Sequence, residues 1–277
     1  MRRCVLGLLL ACELATAAVV QKPWLRFRGG ADEDDADAAV LSSLKAKQVT
    51  GRMTREEVEE KLNSVPTFCI MQADGSVISL PDPNGEEGDE CCTWFLDAAE
   101  AQMTFRRVVA ANPDTEGLRL VAHGLGDTFS MCGGWPSSDE SGSGYAGKLR
   151  IQGSQALMKP IEAQLVASLK QASIDPGAWQ LPVFMGEELA QAGPDGDQRA
   201  LPVFMDPFDL KDAYEKAGAL TKEVAARGPK VLELRMLAGY MADEPKEYPN
   251  AWRAVQFIPS TEAAKLAGEL AQQQSQS

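Results

Sequence analysis

The chain holds one histidine and six cysteines, and these residues bound the chemistry it can attempt. A hydrolytic triad or an imidazole metal site would have to be built on His123. His123 closes an apolar run and precedes Gly124-Leu125-Gly126-Asp127, which reads as a structural or surface histidine. Cys4 and Cys12 fall in an N-terminal apolar stretch, leaving Cys69, Cys91, Cys92 and Cys132. No C-x-x-C spacing occurs among them, so zinc and thioredoxin-type exchange have little support. Cys91 and Cys92 are neighbours that would alternate faces at the start of a strand. They read as small hydrophobes or, alternatively, as the thiols of a redox or isomerase enzyme. The positions matching them later in the chain carry no cysteine. Neither a Walker loop nor G-x-G-x-x-G is present, so ATP and dinucleotides are not called for. Carboxylates are plentiful, but no two stand out as an acid–base couple. The sequence predicts no enzyme, no cofactor and no metal.

The elements that would carry any function lie in a chain of 277 residues with a formal net charge of -13. Such acidity argues against sequence-independent nucleic-acid binding, which needs clustered Lys and Arg, and gains nothing from an anionic membrane surface. The first 30 residues run against this trend, with five basic side chains and one acid. Residues 1–18 carry a basic pair, a short apolar run and Ala15-Thr16-Ala17, the pattern of a cleaved secretory signal; an uncleaved anchor is the other reading. Residues 19–38 join a basic, acid-poor segment to the acidic linker ADEDDADA. The order matches the bipartite leader of algae with complex plastids; a disordered arm on a secreted protein is the rival. No other run is long and apolar enough to span a bilayer, for which about 18–20 residues are needed.

The five residues LPVFM occur twice, at 181–185 and 201–205, yet they are not the repeat. Val65-Pro66-Thr67-Phe68 matches Leu181-Pro182-Val183-Phe184, and Trp94-Phe95-Leu96-Asp97 matches Val203-Phe204-Met205-Asp206. Each Asp opens a helix whose first N–H groups it can cap. Glu100 and Asp209 follow three residues later, where a capping box and the helix dipole favour an acid. Leu118–Ala122 then matches Val231–Arg235 as a strand. Lys148–Ser154 matches Arg253–Ser260, each followed by a helix, near 155–172 and 261–272. From capping Asp to final Ser the count is 57 residues in one copy and 54 in the other. The expectation is an α/β (α+β) chain with two similar halves from an internal duplication, 65–172 and 181–272. Each is a small sheet packed with helices. A helical segment, 39–64, precedes them, a Gly/Ser-rich insertion interrupts the first at 132–147, and a tail follows at 273–277.

This ordered set resembles the twenty-two-kilodalton Tic family, of the translocon at the inner envelope of chloroplasts. The stretches that carry the resemblance are LNSVPTFCIMQADGSVISL, CCTWFLDAAEA, LVAHGLGDTF, LRIQGSQALM, LPVFMDPFDLKDAYEKA and AWRAVQFIPS, together spanning roughly 60–272. The resemblance implies two similar halves about a pseudo-twofold axis. It further implies a plastid protein, soluble between envelope membranes and reached here by the secretory route. Its partners would be unfolded precursor proteins, transit peptides, and outer and inner envelope translocon components. Chaperone-like, ATP-independent binding is expected, with no established enzymatic activity; a structural subunit of a plastid complex is another reading. The candidate precursor contacts are Phe68, Trp94, Phe95, Phe184, Phe204 and Phe257 on the apolar strands, each of which also reads as core. Binding would use strand addition or an apolar groove. Asp97 and Asp206 are the predicted helix caps.

Overall fold

A computed structural model describes residues 53–82, 85–135, 148–177, 179–189, 191–192, 199–242 and 251–275. The expected signal, the basic and acidic leader segments, most of the insertion and the end of the tail lie outside these residues.

The chain enters through α1 (Arg55–Leu62), whose capping box joins Thr54 to Glu57. β1 (Pro66–Met71), β2 (Ser79–Pro81) and β3 (Glu90–Phe95) follow, then α2 (Ala98–Ala111), β4 (Arg119–Gly124), α3 (Leu125–Met131) and β5 (Lys148–Gln152). The helical text after Ser154 divides into α4 (Gln155–Met158) and α5 (Glu162–Gln171). The division falls at Pro160, which lacks the N–H that an unbroken helix requires. The later elements are β6 (Pro182–Met185), β7 (Gln191–Ala192), β8 (Arg199–Phe204), α6 (Pro207–Lys216), α7 (Lys222–Arg227), β9 (Lys230–Glu233), α8 (Leu234–Ala242), β10 (Val255–Ile258) and α9 (Thr261–Gln274).

Two mixed sheets result, and their orders correspond. β1 pairs antiparallel with β3 and β4, while β3 pairs parallel with β5. β6 pairs antiparallel with β8 and β9, while β8 pairs parallel with β10. Registers correspond too, with Phe68 opposite Phe95 and Phe184 opposite Phe204. So do single hydrogen bonds. Leu96 N donates to Gln152 O at 2.9 Å, and Met205 N to Ile258 O at 3.0 Å. Leu125 N donates to Val65 O at 2.8 Å, and Leu234 N to Leu181 O at 2.8 Å.

The sequence match for the fourth strand needs correcting. Register puts Ala122 opposite Phe68 and Val231 opposite Phe184, so Val231 corresponds to Ala122 and not to Leu118. Leu234 and Arg235, read as strand, begin α8. α3 and α8 were both missed in the sequence because each starts on the residue after its strand.

Packing reveals an exchange. The outer face of the first sheet carries Phe68, Ile70, Phe95 and Leu120. Its cover is α2, through Ala98 and Ala101, and α9, through Ala263 and Leu266. The outer face of the second sheet carries Phe184, Phe204 and Val231, covered by Leu210 and Tyr214 of α6 and by Ile161 and Leu165 at α5. The last helix of each half thus lies on the other half's sheet, unlike the self-covered halves expected from the sequence. The inner faces turn toward one common core with α1, α3 and α8, where Leu96, Ile151, Val183 and Val203 meet Leu62, Phe129 and Leu237.

The linker between the halves is fastened by a buried ion pair. Glu233 is fully buried and accepts from Leu181 N at 3.2 Å, Arg235 N at 2.7 Å and Met236 N at 3.3 Å. The Arg235 guanidinium donates to the carbonyls of Asp175 at 2.9 Å, Pro176 at 2.5 Å and Trp179 at 3.0 Å. It also stacks 4.9 Å over the Trp179 ring. Every charge buried here has several partners, the condition under which such a pair is tolerated.

The exchange makes a specific prediction. A chain ending at Ser260 lacks α9 and uncovers the first sheet, although α9 follows the second sheet in sequence. Amide exchange should accelerate in β1 and β4 more than in β8 and β10. Leu266→Ala should cost about 2–5 kcal/mol in urea unfolding, the usual range for a buried Leu. Faster exchange in β8 and β10 alone would contradict the packing.

Candidate functional site

The six aromatic candidates are the first question, and the structure places all of them inside. Phe68, Trp94, Phe95, Phe184, Phe204 and Phe257 are each at most 7% exposed. Phe68 and Phe95 meet under α2 and α9, and Phe184 and Phe204 meet under α5 and α6. Phe257 belongs to the common core, and Trp94 packs with Cys69 and Cys92 on the inner face of the first sheet. In the folded chain they are packing, and none offers a face to a ligand.

The two capping aspartates are brought together instead. A small cleft of about 40 Å³ lies on the seam between the halves, with Leu96, Asp97 and Ser154 from one and Met205, Asp206 and Ser260 from the other. Leu157, Leu181, Pro182 and Gly153 complete it. A Cβ on Gly153 would stand 3.0 Å from Leu181 Cδ2, so the close approach there relies on the missing side chain. Four helices begin around this cleft. Asp97 Oδ1 accepts from Glu100 N at 3.0 Å, and Asp206 Oδ1 from Phe208 N at 2.6 Å and Asp209 N at 3.3 Å. Ser260 Oγ accepts from Ala263 N at 3.2 Å.

Glu100 and Asp209 do not close reciprocal capping boxes. Glu100 accepts from Gln155 N at 2.7 Å and from the Gln152 amide at 2.9 Å. Asp209 accepts from Thr261 N at 2.8 Å and Thr261 Oγ1 at 2.7 Å. Asp209 therefore caps α9, which crosses to the first sheet, and Glu100 caps α4, the short helix ahead of the crossing α5. The orphan N–H groups at the start of a helix need such partners, and here α4 and α9 are anchored at their first residues.

Electrostatics at the seam favour protonation. Burial pushes the Asp206 carboxyl above the usual range, opposed by the Phe208 and Asp209 N–H bonds and reinforced by the charges of Asp209 and Asp97. Burial likewise raises Glu100, against the Gln152 and Gln155 hydrogen bonds and with the Asp97 charge adding. The first N–H groups of these helices are already taken by the chain's own side chains. The space holds little more than a water molecule, so the seam acts as a clasp.

The chemistry residues are dispersed. His123 is exposed on β4, its imidazole pKa lowered by burial against the pull of Asp127. The Cys91 and Cys92 thiols lie on opposite faces of β3, as successive strand residues must. Cys91 Sγ contacts Thr93 Oγ1 at 3.3 Å, and Cys92 Sγ contacts Ser79 Oγ at 3.6 Å. They do not converge into a dithiol. Among the described residues no group of His, Cys, Asp and Glu could hold a metal ion, and no helix is long and apolar enough to cross a membrane.

What the sequence reading missed is a surface on the first half. β4 pairs only with β1 among the described residues. Leu125 N points to β1, so by alternation Val121 and His123 share that direction, and Leu120 and Ala122 turn their backbone groups outward. On the helix that covers the outer face of this sheet, α2, Met103 and Val109 are 44% and 42% accessible. Arg119, exposed on β4, charges the edge in the way that discourages self-pairing. The RLVAH strand text was visible in the sequence, but not its place at the border of a sheet.

No family model and no curated protein matches the chain. Solved structures do. One is Tic22 from Plasmodium falciparum, 21% identical, covering 77% of this chain and 97% of that one at a TM-score of 0.52. The fold is shared with that Tic22. Another is the structure described as Anabaena Tic22 (protein transport), 17% identical, covering 79% of this chain and 98% of that one at a TM-score of 0.49.

The seam yields a pH prediction. A carboxyl raised in the fold makes the native state bind more protons than the unfolded state, so stability falls as pH rises through the window above its ordinary value of 3.8. Asp206→Asn keeps the capping oxygen and cannot ionise. Its stability relative to the native chain should improve between about pH 3 and pH 7, read as the difference in urea midpoints. A constant or reversed difference would refute the assignment.

Proposed function

We propose that this protein is a plastid protein-import factor of the twenty-two-kilodalton Tic family, a non-enzymatic binder that holds precursor proteins without ATP. The observation that carries the reading is the fold shared with Plasmodium falciparum Tic22 over 77% of this chain. The ordered sequence stretches quoted above support the same family. Matched strand order, register and paired hydrogen bonds support an origin of the two halves by duplication about a pseudo-twofold axis. The leader text supports a version from an alga with a complex plastid. On this reading the secretory route delivers the protein, and it works between envelope membranes with outer and inner translocon components as partners.

The contact surface we assign is the β4 edge with the neighbouring α2. An extended precursor segment would add to β4 through the outward groups of Leu120 and Ala122 and rest apolar side chains on Met103 and Val109. Strand addition reads backbone more than side chains, which suits a factor that must accept many sequences.

The test uses the purified protein and a denatured plastid precursor, with and without ATP. Suppressed aggregation and saturable binding, equal in both, are expected. Ala122→Pro removes an outward N–H while sparing the β1 ladder, and Met103→Glu with Val109→Glu charges the apolar rest. Together they should weaken binding at least about tenfold, or 1.4 kcal/mol, with the thermal midpoint little changed. A folded protein that binds no precursor would sink the proposal, and unchanged binding by the triple variant would move the contact elsewhere.

A further inference from the structure

Three of the four described cysteines come from separate elements yet gather on the inner face of the first sheet. Cys69 lies on β1 and Cys92 on β3; with Trp94 they form one buried cluster. Cys132, at the C-terminal cap of α3, packs against that cluster from above and is partly accessible. The fourth, Cys91, faces the other way.

The second half shows what packing alone requires at these places. Matching the β1–β3 register, Phe68 opposite Phe95, to the β6–β8 register, Phe184 opposite Phe204, together with the matched starts of α3 and α8, makes Met185, Leu201 and Met241 the counterparts of Cys69, Cys92 and Cys132. All three counterparts are buried in the common core. The fold is therefore satisfied by plain apolar side chains, and three thiols are a feature of the first half alone. Cys92 is the middle member. Its charge raises both Cys69 and Cys132, on top of the burial that pushes each thiol up to about 12.

We propose that Cys92 and Cys132 form a reversible disulfide that latches the end of α3 to β3, making the first half sensitive to the thiol–disulfide balance around it. The oxidant would be a small-molecule disulfide. The Cys132 thiolate, as the accessible partner, attacks one sulfur of the oxidant; its S–S bond breaks and one thiolate leaves. The Cys92 thiolate then attacks the Cys132 sulfur and expels the second thiolate. Two cysteine thiols lose two protons and two electrons, and the oxidant's disulfide becomes two thiols. Cys69, one strand further in, stays reduced and serves as apolar packing. The elevated thiol pKa values make the latch slow at neutral pH. Its rate follows the thiolate fraction and rises about tenfold per pH unit between pH 7 and 9. This inference stands apart from the import reading, because it concerns covalent state and not precursor binding.

The experiment treats the folded protein with oxidised glutathione, traps free thiols with an alkylating agent, and maps the linkages by proteolysis and mass spectrometry. A Cys92–Cys132 cross-linked peptide that disappears with dithiothreitol is expected, together with the tenfold-per-unit pH dependence. Cys92→Ala should stop the reaction at glutathione on Cys132, and Cys69→Ala should leave the cross-link intact. Leu and Met already occupy the counterpart positions, so Cys92→Leu provides a second blocking variant should the alanine cavity unfold the chain. A Cys69–Cys132 link, glutathione alone on Cys132 in the native chain, or Cys92 and Cys132 both still alkylatable after prolonged oxidation would each overturn the proposal.

Discussion

The mutual covering of the two sheets is the constraint on which the rest of the structure depends. Phe68 and Phe95 are dry because a helix from the far end of the chain lies on them, and Phe184 and Phe204 are dry because a helix from the first half does. Large aromatic side chains supply much of the burial in a core, so neither sheet keeps its outer face without the other half. Glu100 and Asp209 then become intelligible. Each sits on a helix that remains at home: Asp209 holds the first N–H of α9 itself, and Glu100 that of α4, which leads into α5. The seam cleft marks where both departures occur side by side.

The halves follow one plan and diverge where α1 intrudes. Gly124 and Gly126 stand where the second half has Glu233 and Arg235. A Cβ on Gly126 would lie 2.0 Å from Glu59 O, and one on Gly124 would lie 2.2 Å from Asn63 Oδ1. Bare backbone there lets α1 press against α3, and Asn63 then caps α3 from outside by accepting from Asp127 N at 3.1 Å. In the second half no helix takes that place among the described residues. Glu233 and Arg235 fill it, cap α8 and bind the linker. The same architectural problem, how to start a helix directly from a strand, has one steric and one ionic solution.

Much of this was legible in the sequence, for physical reasons. Apolar runs bounded by turns gave the strands, and an acid with an available side chain announced α2 and α6. The aromatic positions were legible as apolar and strand-borne, but a string of residues does not say which face is covered or by what. α3 and α8 escaped because their caps are remote. α3 has no side-chain cap of its own and borrows Asn63, while α8 uses an acid that reads as the last residue of a strand. The exchange of helices escaped for a related reason. α5 and α9 present apolar stripes that fit either sheet, and only three-dimensional packing chooses between them. The cysteine cluster was hidden for the same cause, since Cys69, Cys92 and Cys132 are distant in sequence and meet only in space.

Synthesis runs from the N-terminus, and domains ordinarily fold in that order as they emerge. This chain cannot follow that schedule. Its first sheet is complete once β5 has been made, yet the lid for that sheet, α9, is made only after every strand of the second half. Until then Phe68, Phe95 and Leu120 meet water or some other apolar surface. Through that interval the first sheet lacks the fourteen-residue helix that completes its cover.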